Sequence, residues 1–174
     1  MQGSPDALRK WARTLPYSRI LYPDALHDQV KYYTWLLLTP VHPYLRDTLD
    51  YIGVLERMYA QFRPNGRQHF LLGTLASSET HQSLALYLVE KGYANHFVAL
   101  KDRGEIVSLR YTPSFKYQYH IRIFDDGEVR AHYEYTPECH PFWHDREVSF
   151  EPRRDYFLTL LEDKIIPAPL EEQF

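Results

Sequence analysis

The sequence predicts an α+β protein in which a mostly helical first half packs on a C-terminal antiparallel β-meander of about five strands, closed by a last helix. Two observations predict this division. Apolar residues recur at helical spacing up to residue 92, whereas from Asn95 onward they alternate with a period of two. The length of 174 residues favours one domain, with a helical part (1–92), a sheet and closing helix (93–166) and a loose tail (167–174).

Four helices are predicted before the sheet, and local signals set the bounds of the first two. Ser4 can cap a first helix that has Pro5 in its first turn and ends near Thr14. Asp24 can cap a second helix, which ends before Pro40. The apolar face of this second helix has the spacing 4-3-4 and consists of Leu26, Val30, Tyr33 and Leu37.

The third and fourth helices are separated by a short predicted strand at 69–72. Pro43 can open the third helix, and the short link before it predicts antiparallel packing on the second helix. Ser77 or Ser78 can cap the fourth helix, which places Gly92 just beyond its end. The fourth helix is apolar on all sides, which predicts a central position. The periodic face of the third helix consists of Leu45, Leu49, Ile52, Leu55, Tyr59 and Phe62.

The second half of the chain alternates as strands do, and turns at 101–104 and 125–127 separate the middle strands. A last helix is expected at 153–163, with Phe157, Leu160 and Leu161 facing inward. Pro167 then begins the tail. The strands are predicted at about 95–101, 105–112, 116–124, 128–136 and 145–150.

The hairpin around Gly127 can form in two registers. A two-residue loop pairs Ile123 with Arg130 and mixes apolar and charged side chains on the same face. A three-residue loop with Gly127 in the left-handed conformation pairs Ile123 with Val129 and separates the two kinds, so burial should select it. Tyrosines and aliphatic residues then share one face. The opposite, polar face carries Lys116, Gln118, His120, Arg122, Arg130, His132 and Glu134.

This polar face is a candidate catalytic site. It sets His120 opposite His132, and two imidazoles that titrate near neutral pH can act as acid and base in RNA cleavage, with Glu134 completing the catalytic set. Opposed arginines are unfavourable unless an anion or a carboxylate lies between them, which predicts phosphate binding. The alternative is a solvated outer sheet face held by ion pairs. The predicted phosphate ligands are Arg110, Arg122, Arg130 and Lys116.

The segment 136–145 is rich in histidine and carries the one cysteine. Cys139, His140 and His144 could join His132 in a transition-metal site, because Cys and His are zinc ligands, but their spacing matches no familiar zinc motif. We therefore expect no metal or other cofactor, and we expect the loop to fold over the polar edge of the sheet. No helix start or nucleophile elbow surrounds Cys139, which disfavours a catalytic thiol.

The composition narrows the function classes. A net charge of −3 gives no overall attraction to nucleic acid, so phosphate binding would have to come from locally placed Arg and His. A single cysteine excludes an intrachain disulfide, and the polar start is unlike a signal peptide, which together favour the cytoplasm. No apolar run is long enough to span a bilayer. The richness in Arg and Tyr hints at a thermophilic source.

The hairpin and the loop after it carry a family pattern. Tyr117 and Tyr119 precede the 125–127 turn, the second strand ends with 133–136, and His140-Pro141 and His144 follow. Over about residues 105–165 the chain resembles the TumE-type toxins of prokaryotic toxin–antitoxin pairs, although it has Thr-Pro at 136–137 where that family has Asp-Asn. The resemblance implies toxin-like activity on RNA and a cognate antitoxin as a partner.

Three function hypotheses follow from these observations. The first is a toxin-like, metal-independent ribonuclease built on the polar face. The second is a non-catalytic nucleic-acid-binding module, since 77–111 has the helix and hairpin of a winged helix, although this helix is too apolar for a DNA groove. The third is a module that binds a protein partner or a second copy of the chain through tyrosine-rich surface.

Overall fold

A computed structural model describes residues 4–41, 44, 48, 70–96, 102–140 and 151–169. In this part of the chain, four helices and one five-stranded antiparallel sheet confirm the predicted α+β class. A short 3₁₀ turn, Glu162–Lys164, joins the last helix to the last strand. The elements in chain order are α1 (Pro5–Ala12), α2 (Leu26–Leu38), β1 (Leu71–Leu75), α3 (His81–Glu90), β2 (Glu105–Tyr111), β3 (Tyr117–Phe124), β4 (Glu128–Tyr135), α4 (Glu151–Leu161) and β5 (Ile165–Pro167).

The helix starts show which of the predicted caps operate. The α1 cap is confirmed, because Ser4 Oγ accepts the Ala7 N–H at 3.3 Å. The predicted Asp24 cap is wrong, since α2 begins after Ala25 without a side-chain cap. The predicted Ser77 and Ser78 caps are also wrong. Thr80 and Ser83 form a reciprocal capping box at the start of α3, and this box satisfies two backbone N–H groups where a single serine would satisfy one.

One prediction about helix packing requires correction, and a second one falls on residues outside the described part of the chain. Helix α3 buries Leu84 and Leu88, but Leu86 is 50% exposed, so α3 lies on the sheet with one side in solvent and is not central. The apolar face of α2 is largely exposed in the structure, with Leu26 and Leu37 more than three-quarters accessible. The predicted third helix, which was expected to cover that face, falls almost wholly outside the described residues.

The strand order is β2-β3-β4-β1-β5. The three middle strands of the predicted meander agree with β2, β3 and β4 to within one residue at each end. The strand predicted at 69–72 is present as β1, displaced toward Leu75. Residues 97–101 and 141–150, which carry most of the other two predicted strands, lie outside the described residues.

The fifth strand of the sheet is β5, whose residues follow the predicted last helix (153–163) and include the first residue of the predicted tail. Pro167 pairs with Gly73, and the Ala168 N–H donates to the Leu72 carbonyl at 2.8 Å, so the segment predicted as a tail begins within the sheet. A proline fits here because β5 is an edge strand and needs no outward N–H donor.

The β3–β4 hairpin has the three-residue loop. Gly127 adopts a left-handed φ of 87°, and its N–H donates to the Phe124 carbonyl at 3.0 Å. Ile123 therefore pairs with Val129, as the face-sorting register predicts, and His120 pairs with His132. Strand β2 extends the same alternation to a third strand.

The apolar face of this sheet forms the hydrophobic core with α1, α3 and α4. Leu8 of α1, Leu84 of α3 and Phe157 of α4 all belong to one buried cluster with Leu109 and Ile121 of the sheet. Burial of side chains of this size is the main source of stability in a domain this small. The opposite face carries the polar side chains predicted from the sequence, and it holds the candidate site.

Candidate functional site

The polar side chains of β2, β3 and β4 stand in rows across the sheet because their strands pair in register. One row is Arg110–His120–His132, and the rows beside it are Ser108–Arg122–Arg130 and Gln118–Glu134. The register predicted from the sequence is therefore correct, and it places most of the predicted site residues next to one another. Lys116 lies just before β3 and is exposed, apart from these rows.

The polar face is buried, which neither sequence interpretation anticipated. His120, His132 and Glu134 are at most 4% exposed, and Arg110, Gln118 and Arg122 are equally enclosed. The face is therefore neither the solvated sheet surface nor the open phosphate seat that the alternation suggested. Polar groups buried to this degree cost free energy unless they are paired or hold a ligand.

Potential metal-ligand atoms from three residues converge at the centre of these rows. His120 Nδ1 lies 3.2 Å from His132 Nε2, and His132 Nε2 lies 2.9 Å from Glu134 Oε2. Glu134 Oε1 is 3.5 Å from His120 Nδ1, so each carboxylate oxygen lies near one of the two imidazoles. We call these three residues the His–His–Glu triad. It is the one group of potential metal ligands found among the described residues.

Two neighbouring side chains orient the triad. Ser108 Oγ lies 2.7 Å from His120 Nε2, on the side of the ring that points away from the triad. Gln118 Nε2 donates to Glu134 Oε1 at 2.5 Å. Partners of this kind hold a ligand side chain in one orientation and, for histidine, select the ring nitrogen that carries the hydrogen. An imidazole with its hydrogen on Nε2, donated to Ser108, presents an Nδ1 lone pair to the triad.

Burial and charge set the ionisation of the triad. Burial first, and then the Arg110 guanidinium, holds the pKa of His120 well below its usual value, so its imidazole is neutral. Burial alone would raise the pKa of Glu134. His132, His120 and Arg110 more than offset that effect and hold the pKa of Glu134 well below its usual value, so the carboxylate is ionised.

A second buried pair lies near the triad, and sequence reasoning missed it. His96 Nε2 and Glu138 Oε1 are 2.6 Å apart, and both side chains are almost fully enclosed. Burial lowers the pKa of His96, while His96 lowers the pKa of Glu138 against the opposite effect of burial, so a neutral imidazole donates to a carboxylate. The two residues lie outside the predicted hairpin, so no alternation pattern connects them.

The four predicted phosphate ligands have different surroundings. Arg122 is bound to Glu105 at 2.6 Å and also to Asp102, and these carboxylates raise its pKa although burial opposes them. Arg130 Nε pairs with Glu128 Oε2 at 2.9 Å. Both guanidiniums are thus neutralised by protein carboxylates, and Lys116 lies apart. Among the four, Arg110 alone stands beside the triad without such a partner in the described part of the chain.

The alternative metal ligands of the His-rich loop do not converge in the described residues. Cys139 is buried in a turn, where its N–H donates to Thr136 Oγ1 at 3.1 Å, and burial raises the pKa of its thiol. His140 packs its ring against Tyr135 with centroids 4.5 Å apart. His144 lies outside the described residues. A raised pKa keeps Cys139 protonated, which suits neither a nucleophile nor a ligand.

Comparison with known proteins finds no family model that matches this chain, and no curated protein or solved structure that is significantly similar to it. The resemblance to the TumE-type toxins, and the RNA and antitoxin partners that it implies, therefore stay predictions. Of the helices in the described residues, none has the length and hydropathy that crossing a bilayer requires.

Proposed function

We propose that the protein binds one divalent transition-metal ion through the His–His–Glu triad. The observation that carries the proposal is the mutual spacing of His120 Nδ1, His132 Nε2 and Glu134 carboxylate oxygens, at 2.9, 3.2 and 3.5 Å. A tetrahedral ion with bonds of about 2.0–2.1 Å sets its ligand atoms about 3.3 Å apart. The two imidazole nitrogens thus have the spacing of two ligands in a tetrahedral shell, and the Glu134 carboxylate lies within 3.5 Å of both of them.

The donor set suits particular ions. Two imidazoles and one carboxylate are typical of catalytic Zn²⁺ sites and of non-haem Fe²⁺ sites, both of which leave coordination positions open. Metal binding also requires neutral imidazoles and an ionised carboxylate. Ser108 and Gln118 contact two of the three ligands in the way that outer-shell partners of metal sites do.

The same spacing argues against direct acid–base catalysis by the two histidines. The first sequence hypothesis needs a substrate hydroxyl or phosphate oxygen between an acid and a base. His120 Nδ1 and His132 Nε2 are 3.2 Å apart, which is a hydrogen-bond distance, so the two rings contact each other and are not spaced as an acid and a base on opposite sides of a substrate. A polymer would also have to reach side chains that are at most 4% exposed. Toxin-like cleavage of RNA is therefore the second candidate, supported by the imidazole pair beside Arg110.

Metal titration tests the proposal. The chain is stripped with a chelator and titrated separately with Zn²⁺ and Co²⁺, and we expect one equivalent of each to bind. Ser108→Ala removes an outer-shell partner and should weaken metal affinity roughly 10–100-fold. His120→Ala and Glu134→Gln each change a proposed ligand and should weaken it more. His27→Ala, which removes an exposed imidazole, should leave affinity unchanged.

The Co²⁺ spectrum of the wild-type chain distinguishes the triad from the cysteine-containing alternative without any variant. A tetrahedral nitrogen and oxygen shell gives visible bands, whereas a thiolate-to-cobalt charge-transfer band would assign the metal to Cys139 and contradict the proposal. Stoichiometric binding that persists in folded His120→Ala and Glu134→Gln would also contradict it. Cleavage of RNA by the chelator-treated wild type would favour the metal-independent ribonuclease instead.

A further inference from the structure

Arg110 is a buried cation whose partner is missing from the described structure. Its side chain is 4% exposed, and its Nε and Nη1 have no hydrogen-bond acceptor. Among the described residues, no carboxylate oxygen forms an ion pair with its guanidinium, whereas Arg122 on the adjacent strand has two. A buried charge without a partner is strongly unfavourable, so this arginine is placed for something other than fold stability.

Arg110 lies beside the His–His–Glu triad. It pairs directly with His120 across β2 and β3, and residues opposite each other on one face have Cβ atoms about 4.5–5.5 Å apart. Its charge reaches both carboxylates of the site, because it lowers the pKa of Glu134 and of Glu138. Arg110 and the triad therefore lie side by side on the same buried face of the sheet.

Ion pairing separates Arg110 from the other buried charges of this face. Arg122 is paired with Asp102 and Glu105, and Glu134 and Glu138 contact His132 and His96. The Arg110 guanidinium has no such contact in the described part of the chain, and its Nε and Nη1 lack an acceptor. What is missing is therefore an acceptor for these N–H groups.

We infer that Arg110 binds a small oxyanion, a carboxylate or a phosphate, which occupies the open coordination position of the metal held by His120, His132 and Glu134. The inference rests on the proposed metal site and names the ligand class for it. Guanidinium N–H groups match carboxylate and phosphate oxygens, and the same oxygens are ligands for Zn²⁺ and Fe²⁺. The enclosure of the site requires a small molecule.

The test is an anion titration of the Co²⁺-loaded chain with acetate and inorganic phosphate in separate arms. We expect one of the two anions to shift the visible Co²⁺ spectrum saturably, and the arm that does so identifies the oxyanion class. Arg110→Met should still bind one Co²⁺, but its anion affinity should fall roughly tenfold or more. Arg110→Lys keeps the positive charge but loses the planar guanidinium, so its anion affinity should lie between those of the wild type and Arg110→Met.

Metal uptake is measured first, so failure of the metal site is recognised separately from failure of the anion site. If the wild type binds Co²⁺ but neither anion changes its spectrum, or if Arg110→Met binds the anion as tightly as the wild type, the inference is overturned and the metal site stands. The melting temperature of the metal-free Arg110→Met chain gives a second readout. A fall as large as that of Arg122→Met would assign Arg110 to the fold and overturn the inference.

Discussion

At the scale of single residues, two buried arginines on adjacent strands have opposite surroundings. Arg122 is enclosed with Asp102 and Glu105, whose carboxylates accept hydrogen bonds from its guanidinium. Its Cζ also lies 5.3 Å from the centroid of the Phe124 ring. Arg110 is as deeply buried and has donors without acceptors. The two side chains have the same chemistry, so a difference between their substitutions reports the surroundings alone.

Substitution of Arg122 is therefore expected to destabilise the fold. Arg122→Met leaves the Asp102 and Glu105 carboxylates buried without their cation, and breaking a buried ion pair in this way costs about 3–5 kcal/mol. Denaturant unfolding measures the difference in the free energy of unfolding. Arg110→Met is the matched control, and its metal-free form should lie within about 1 kcal/mol of the wild type or above it. If both substitutions lowered the free energy of unfolding equally, Arg110 would stabilise the fold as Arg122 does, and the contrast between the two arginines would be wrong.

The triad residues were predictable from the sequence, and their surroundings were not. Alternation over β3 and β4 places His120, His132 and Glu134 on one face, because the register has only two options and burial selects one. Strict alternation along β2 would put Glu105 on the same apolar face as Val107. A bulge between these two residues turns Glu105 toward Arg122 instead. A bulge leaves no trace in a period of two, so the ion pair could not be foreseen.

At the scale of elements, the hairpin loop determines whether the triad exists. Gly127 has a φ of 87°, and a Cβ built there would meet nothing closer than Leu75 Cβ at 3.8 Å. That is an ordinary van der Waals contact, so the left-handed backbone alone makes glycine favourable at this position. A loop that relaxed to two residues would shift one strand and separate His120 from His132.

Gly127→Ala is accordingly expected to lower the free energy of unfolding by about 1–2 kcal/mol, the cost of a left-handed alanine. Gly127→Asn should cost less, because asparagine visits this conformation more readily. Urea unfolding measures both, and Co²⁺ binding reports whether the register survives. If alanine and asparagine prove equally harmless, the loop does not depend on backbone conformation, and the argument for register control fails.

At the scale of the whole molecule, several ionisable groups are enclosed in states that acid would disturb. His96 is the clearest case outside the triad, because burial lowers its pKa from the usual 6.5. Arg110 lowers that pKa further, while Glu138 and Glu134 act in the opposite direction. The native state thus keeps His96 neutral at a pH where the unfolded chain would bind a proton.

The sign of the pH dependence follows directly. Below about pH 6.5 the unfolded state binds more protons, so the free energy of unfolding of the metal-free chain should fall, by at most about 1.4 kcal/mol per pH unit for this one group. The pKa of Glu138 is lowered in the native state, so below its usual value of 4.5 the unfolded chain again binds more protons. Glu138 therefore lowers the free energy of unfolding further. Unfolding measured from pH 8 to pH 5 should show a shallower slope in His96→Gln. An unchanged slope in that variant, or an altered one in the surface control His27→Gln, would count against this account.

The general architecture was predictable because it depends on periodicity, and the completion of the sheet was not. The change of period near Asn95 separates the helical half from the meander, and β2, β3 and β4 follow from it. Strand β5 has only three residues and includes Pro167, so it carries no alternation to detect. Its partner β1 contains Gly73, where a Cβ would come within 2.1 Å of the Ile166 carbonyl oxygen. That glycine is explained only once the neighbouring strand is known.

The position of β1 between β4 and β5 has a consequence for how the chain acquires its structure during synthesis. β1 is the first of the five strands to leave the ribosome, but both of its neighbours are made later. One edge of β1 stays unpaired until Arg130 of β4 is made, and the other edge until Ile166 of β5 is made. The two hairpins of β2, β3 and β4 need only local closure and can form earlier. Until Ile165 to Pro167 emerge, the nascent chain exposes a strand edge able to pair with another molecule, and a chaperone that covers such edges would act in that interval.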